Sequence, residues 1–95
     1  MPKGYLIARI DITDPKAYAA YAEAAGGAIT KLGAKVLARG GRFEALEGGG
    51  RARNVVLEFD SFEAARAFYF SPEYSSARAM REGAAIVDYI LVEGV

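Results

Sequence analysis

Apolar and polar residues alternate along several stretches of the chain, the pattern of strands that bury one face. The strands predicted in this way are residues 4–12, 34–39, 53–60 and 86–93. Gly40-Gly41 interrupts the second strand and residues 42–47 resume its pattern, so a bulge or tight bend is expected at the glycine pair. Gly48-Gly49-Gly50 then predicts a hairpin turn before the third strand.

Repeats of three and four residues replace the alternation in two regions and predict helices. The first helix begins after Asp14, a capping residue followed by Pro15, and ends near Leu32 before Gly33. The residues of this helix expected to face the core are Tyr18, Ala22, Ala25, Ile29 and Leu32. Gly26-Gly27 in its interior is interpreted as a close packing contact or a kink.

The second helical region starts after Asp60 or Ser61, either of which can cap it. Ser71-Pro72-Glu73 is a further start signal, so the region is split and its second segment is expected to run to about Arg81. The resulting order is β-α-β-β-α-β. It predicts an α+β ferredoxin-like fold, an antiparallel sheet with both helices on one face, formed by residues 1–95 as a single domain.

One face of such a sheet remains uncovered by helices. That open face carries the apolar Ile7 and Val56 beside charged residues, and the last strand is apolar on both of its sides. A second copy of the chain related by a two-fold axis is the simplest cover for this surface. We therefore expect a homodimer joined through the open face, with a partly polar chamber between the two sheets that binds an unknown small molecule.

Composition excludes several kinds of chemistry. The 95 residues include 12 basic and 12 acidic ones, a balance that argues against a nucleic-acid partner. Histidine and cysteine are absent, which excludes His or Cys metal ligands, a thiolate nucleophile and a Ser-His-Asp triad. We expect no metal and no cofactor. The first residues lack a signal-peptide pattern and no long apolar run occurs, so we expect a cytoplasmic protein without a membrane partner.

Charged residues on the open face are the candidates for catalysis. Arg9 and Glu58 are expected to point to the same side of the sheet, where Glu58 could act as a base and Arg9 could orient a polar ligand. An ordinary ion pair between neighbouring strands is the alternative. Arg39, next to Gly40-Gly41, is a candidate ligand for a carboxylate, with solvation or a structural pairing as its alternatives.

Tyrosines supply the remaining candidates, because a tyrosine brings apolar area together with a hydroxyl that needs a partner. The tyrosines predicted to line a ligand site are Tyr5, Tyr18, Tyr21, Tyr69 and Tyr74. Packing in the core or in an interface is the alternative for each of them.

Several ordered motifs make the chain resemble the small bacterial family known as domain of unknown function 1330. The motifs are Asp14-Pro15 with Tyr18 and Tyr21, Arg39-Gly40-Gly41, Glu47-Gly48, Glu58-Phe59, and Ser71-Pro72-Glu73-Tyr74. The resemblance covers nearly the whole chain and implies the ferredoxin-like, dimeric α+β barrel fold. The wider superfamily includes cofactor-independent monooxygenases, haem-degrading enzymes and muconolactone isomerases. The resemblance transfers no catalytic residue, and the lack of histidine argues against the haem-degrading relatives.

Two kinds of function fit these observations. One is a cofactor-independent oxygenase or isomerase that acts on a small molecule. The other is a non-catalytic dimer that binds a ligand or serves as an accessory module. A shared fold does not separate the two.

Overall fold

The alternating stretches pair into one antiparallel sheet, and the helices pack against one face of it. The computed structural model describes residues 2–95; Met1, which the single-domain prediction includes, lies outside the described residues. The elements are β1 (Gly4–Ile12), α1 (Pro15–Leu32), β2 (Lys35–Arg39), β3 (Arg53–Phe59), α2 (Phe62–Tyr69), α3 (Pro72–Ala79) and β4 (Ala85–Glu93). The strand order is β2-β3-β1-β4. The predicted ferredoxin-like order with a split second helix is confirmed.

Helix α1 begins and ends where its sequence predicts. The side chain of Asp14 accepts a hydrogen bond from the backbone N–H of Ala17 at 3.2 Å, and Gly33 adopts a left-handed conformation with φ of 75° at the other end. The close packing contact predicted for Gly26-Gly27 is absent, because a Cβ atom at either glycine would meet nothing within 4 Å. These two glycines therefore leave space beside α1.

Serine side chains cap the other two helices. The Ser61 hydroxyl accepts from the N–H of Ala64 at 3.0 Å, so Ser61 and not Asp60 is the N-cap of α2. The Ser71 hydroxyl accepts from the N–H of Tyr74 at 3.1 Å and caps α3. Both caps satisfy backbone donors that have no partner inside the helix.

The core lies between the helices and the inner face of the sheet. Its buried members on the strands are Leu6, Ala8, Ile10, Leu57 and Phe59, which all point to the face that the helices cover. Those on the helices are Tyr18, Tyr21, Ala25, Ala28, Ala65, Phe68, Tyr74 and Ala77. Leu32, which the pattern of α1 assigns to the core, is 40% exposed because it is the last residue of the helix.

The connection between β2 and β3 differs from its prediction. Residues 42–47 form no strand, and residues 40–52 make one long loop in place of a tight hairpin turn. Pairing with β3 already ends at Arg39, opposite Val55, and β3 begins only two residues before Val55, so residues 42–47 have no strand to pair with. The bulge lies at Leu37, inside β2, and not at Gly40-Gly41.

The open face of the sheet is apolar at its centre, as predicted. Ile7 of β1 lies opposite Val56 on one side and opposite Ile90 on the other. Ile86 and Ile90 of β4 are both more than half exposed. None of the helices formed by residues 2–95 is long and apolar enough to cross a membrane.

The assignment of the α2 cap can be tested by a pair of substitutions. Ser61→Ala is expected to lower the free energy of unfolding by about 1 kcal/mol, because it removes the side chain that accepts from the Ala64 N–H. Asp60→Ala is expected to leave it unchanged, since Asp60 contributes only an exposed ion pair with Lys3. Urea unfolding curves measure both, and an equal or larger loss for Asp60→Ala would contradict the assignment.

Candidate functional site

Small residues on α1 leave a cavity between this helix and the inner face of the sheet. Ala22, Ala25 and Gly26 line it where larger side chains would fill the core. The cavity has a volume of about 330 Å³ and is lined by residues of α1, α3 and all four strands. We call it the helix–sheet cavity; its polar and aromatic lining residues are Tyr18, Tyr21, Arg39, Arg53, Tyr74 and Tyr89, with Glu23.

Two tyrosine hydroxyls meet inside the lining. The hydroxyls of Tyr21 and Tyr74 are 2.7 Å apart, and either can donate to the other. Burial raises the pKa of both side chains, as it does for Tyr89. All three therefore keep their protons at neutral pH. One hydrogen of the Tyr21–Tyr74 pair is used between the two hydroxyls, and the other can be donated to the Tyr89 hydroxyl or to an oxygen atom of a ligand.

Further aromatic rings hold this pair in position. The ring of Tyr18 lies 5.2 Å from that of Tyr21, between ring centres, and the Arg81 guanidinium lies 5.1 Å from the Tyr21 ring centre. Tyr69 packs against both Tyr74 and Tyr89, with ring centres 5.6 and 5.2 Å away. Tyr69 does not line the helix–sheet cavity itself. It packs behind Tyr74 and Tyr89, which do line it.

The bulge in β2 determines where Arg39 points. Val36 pairs with Leu57, Ala38 pairs with Val56, and Leu37 is the additional residue between them. An unbroken strand would place Arg39 on the open face together with Leu37, because side chains alternate. The additional residue reverses this alternation, and Arg39 lies on the inner face, where it lines the cavity.

Arg53, the first residue of β3, brings a second guanidinium to the cavity. Its guanidinium carbon lies 5.8 Å from the centre of the Tyr18 ring. On another side it lies against the backbone of Gly40, which has φ of 67°, and a Cβ atom at that position would collide with Arg53 Nη1. Glycine at position 40 therefore serves both the turn and the arginine.

Glu23 of α1 is the carboxylate that lines the cavity. Its side chain is exposed to solvent, so it lies at the open edge of the site. Sequence reasoning missed both Glu23 and Arg53. The available signal was that Glu23 precedes Gly26 by three residues, which puts the two on the same side of a helix.

The predicted catalytic residues lie on the opposite face of the sheet. Arg9 and Glu58 do point to the same side, but Glu58 lies opposite Tyr5 while Arg9 lies four residues further along β1, about 13 Å away at the usual rise of a strand. Arg9 donates to the backbone oxygen of Gly49 at 2.7 Å, and no ion pair joins it to Glu58.

Tyr5 belongs to this open face as well. Its hydroxyl donates to Glu58 Oε2 at 3.1 Å, and this hydrogen bond raises the pKa of Tyr5. Of the residues predicted to bind a ligand, the cavity thus brings together Tyr18, Tyr21, Tyr74 and Arg39. The roles assigned to Arg9, Glu58 and Tyr5 stay predictions, since they need a chamber that a second subunit would close.

An ionic bridge ties the long loop to the open face. Arg51 donates to Asp11 at 2.6 Å and to Asp88 at 2.8 Å, which connects the end of the loop to β1 and β4. The hydrogen bond from Arg51 holds the pKa of Asp11 below its usual value. Within residues 2–95, no three acidic side chains come close enough together to hold a metal ion.

Comparisons with known proteins identify a family and a shared fold. The model of the family described as "Domain of unknown function (DUF1330)" matches residues 3–95. No curated protein matches the chain. The chain is similar to a solved structure of a protein of unknown function from Rhodopseudomonas palustris. The two are 21% identical, with a TM-score of 0.75 over 99% of this chain and 83% of the other.

Two further solved structures share the fold at lower identity. A dimeric protein of unknown function and ferredoxin-like fold from Bacteroides fragilis is 13% identical, with a TM-score of 0.66 over 96% of this chain and 95% of the other. SnoaB, a cofactor-independent oxygenase from Streptomyces nogalater, is 9% identical, with a TM-score of 0.63 over 97% of this chain and 92% of the other. At these identities the likeness shows the ferredoxin-like fold alone.

Proposed function

The chain belongs to the DUF1330 family, and we propose that it binds a small organic molecule in the helix–sheet cavity. The observation that carries this proposal is the lining itself, in which a hydroxyl pair (Tyr21 and Tyr74) and two guanidiniums (Arg39 and Arg53) converge on one apolar space. A small number of polar groups directed into an otherwise apolar cavity is typical of small-molecule sites.

The size of the cavity limits the ligand. Its volume of about 330 Å³ is at the lower end of the range for small-molecule sites. An apolar cavity of about 150 Å³ already admits benzene, so one substituted aromatic ring fits here. The apolar walls, which include Ile10, Ile29 and Leu57, favour a ligand with an apolar body.

A matched pair of glycine substitutions tests this function. Gly26 lines the cavity and Gly27 is exposed, and a Cβ atom added to either glycine would have no neighbour within 4 Å. Gly26→Leu is expected to fill the cavity and abolish binding, whereas Gly27→Leu should leave binding intact. Saturation-transfer NMR with phenol, benzamide, benzoate and benzylamine measures binding of neutral, anionic and cationic rings.

The control in this experiment is stability. Both substitutions replace a helical glycine by a good helix former and should raise the free energy of unfolding by about 0.8 kcal/mol. A loss of binding in Gly26→Leu therefore cannot come from unfolding. If wild-type protein binds none of the four compounds, or if Gly26→Leu binds as wild type does, the proposal is wrong.

A second candidate function is proton transfer on the bound molecule, and the position of Glu23 favours it. The Glu23 carboxylate would take a proton from a carbon next to a carbonyl group, and the electron pair of that C–H bond would move to the carbonyl oxygen. The Tyr21–Tyr74 pair would donate a hydrogen bond to the resulting enolate oxygen. Return of the proton to another carbon is isomerisation, and reaction of the enolate with dioxygen is cofactor-independent oxygenation.

Glu23→Gln tests this second candidate. Phenylpyruvate exchanges the hydrogens of its CH₂ group in D₂O through an enolate, and proton NMR follows the exchange. Wild-type protein is expected to accelerate the exchange over buffer, and Glu23→Gln should remove about a hundredfold of that acceleration, as for the loss of a general base. Glu63→Gln, an exposed residue of α2, is the control. Exchange at the buffer rate with wild-type protein would leave non-catalytic binding as the function.

We also propose that the protein is a homodimer joined through the open face of its sheet. Ile7, Val56 and Ile90 form a central apolar row, and the exposed Val92 extends it along β4. Surfaces of this kind on soluble proteins usually mark an interface. The similar protein from Bacteroides fragilis is described as dimeric, which supports the proposal.

A charge on this surface should separate the subunits. Ile90→Asp would bury a carboxylate against the apolar face of the second copy, so a monomer is expected. Met80→Asp introduces the same charge at another half-exposed apolar position, after α3, and should remain dimeric. Sedimentation velocity at micromolar concentration distinguishes the two masses. A wild-type monomer, or a dimeric Ile90→Asp, would contradict this interface.

A further inference from the structure

The helix–sheet cavity is lined by two guanidinium groups that form no ion pair with an acidic side chain of the described residues. The ion pairs formed by residues 2–95 include neither Arg39 nor Arg53. Arg53 Nε is buried and has no hydrogen-bond partner. Among residues 2–95 it is the only buried side-chain nitrogen or oxygen atom in this state. A buried donor on a charged group costs free energy when it has no acceptor. Nε itself is closed to a ligand, but an anion that accepts from the Nη atoms of Arg53 would balance the charge of the whole guanidinium.

The guanidinium of Arg53 is held in place without being neutralised. It lies between the backbone of Gly40 and the ring of Tyr18, and neither of these neighbours carries a negative charge. A planar guanidinium fixed on two sides keeps its remaining donors ready for a carboxylate. The carboxylate of the lining, Glu23, is exposed and makes no ion pair with it.

The Tyr21–Tyr74 pair is the second polar feature of the cavity. The Tyr18 ring connects it to the arginine, since its centre lies 5.8 Å from the Arg53 guanidinium carbon and 5.2 Å from the Tyr21 ring centre. The pair shares one hydrogen between its two oxygens, and its second hydrogen can be donated to the neighbouring Tyr89 hydroxyl or to an oxygen atom of a ligand. Apolar side chains such as Ile10 and Val55 line the remaining space.

We propose that the ligand is a small hydroxyaromatic carboxylic acid, bound as a monoanion. Its carboxylate accepts hydrogen bonds from Arg53, its ring lies against the apolar walls, and its hydroxyl oxygen meets the Tyr21–Tyr74 pair. Two guanidiniums and the carboxylate of Glu23 leave the lining with one net positive charge, which matches one negative charge on the ligand. This inference rests on the proposed function, because it names the class of molecule that occupies the same cavity.

Three probes of nearly equal shape test the ligand class by isothermal titration calorimetry. They are 4-hydroxyphenylacetate, its neutral amide 4-hydroxyphenylacetamide, and 4-methylphenylacetate, which lacks the hydroxyl. Wild-type protein is expected to bind the hydroxy acid about tenfold or more tightly than the amide, the usual value of a hydrogen bond to a charged group. It should also prefer the hydroxy acid to the methyl analogue severalfold.

Substitutions identify the residue that is responsible for each preference. Arg53→Gln should abolish the preference for acid over amide, while Arg66→Gln, which removes an exposed charge from α2, should keep it. If Arg53→Gln does not fold, Arg53→Lys is the second variant. It keeps the charge but loses the paired Nη donors of the planar guanidinium, so the acid should bind severalfold more weakly with little change for the amide. Tyr74→Phe should abolish the preference for hydroxyl over methyl.

The outcomes separate this inference from the function on which it rests. Equal binding of acid and amide by wild-type protein would overturn the ligand class, while Gly26-dependent binding of either probe would keep the cavity as the binding site. Failure of all three probes to bind, with Gly26-dependent binding of phenol or benzylamine, would also overturn the class alone. Failure of every probe, including the four simple rings, would overturn both proposals.

Discussion

A hydrogen bond between two buried phenols joins the two helices that cover the helix–sheet cavity. Tyr21 belongs to α1 and Tyr74 to α3, and the 2.7 Å separation of their hydroxyls fixes the distance between these helices. A hydrogen bond between buried groups of this kind stabilises the fold by about 1 kcal/mol. The same pair lines the helix–sheet cavity, where the alanines and glycine of α1 leave space between this helix and the strands.

The sequence predicts the elements well because their signals are local. The caps Asp14 and Ser71, the left-handed Gly33 and the alternation in β1 each depend on residues that are neighbours in the chain. The choice between Asp60 and Ser61 needs the geometry of the cap, since both residue types can accept from the backbone.

The candidate site is harder to predict because it depends on small side chains that leave space beside α1 and on the bulge residue Leu37 in β2. Pattern reasoning looks for charged residues on a strand and so selects the open face, where Arg9 and Glu58 lie. It cannot find a space that exists because Ala22 and Gly26 are small. The bulge at Leu37 also has no clear sequence signal, although it decides which face of the sheet carries the cavity arginine of β2.

Departures from the ordinary rules of stability are concentrated around the cavity. Gly26 stands inside a helix, where it weakens α1, and it makes no packing contact in return. The bulge at Leu37 interrupts pairing in β2, and Arg53 has a buried donor with no acceptor. In a chain whose caps and strands otherwise follow local preference, such departures are expected at functional sites. Their convergence on one space therefore argues for a function there that neither the fold nor the open face of the sheet requires.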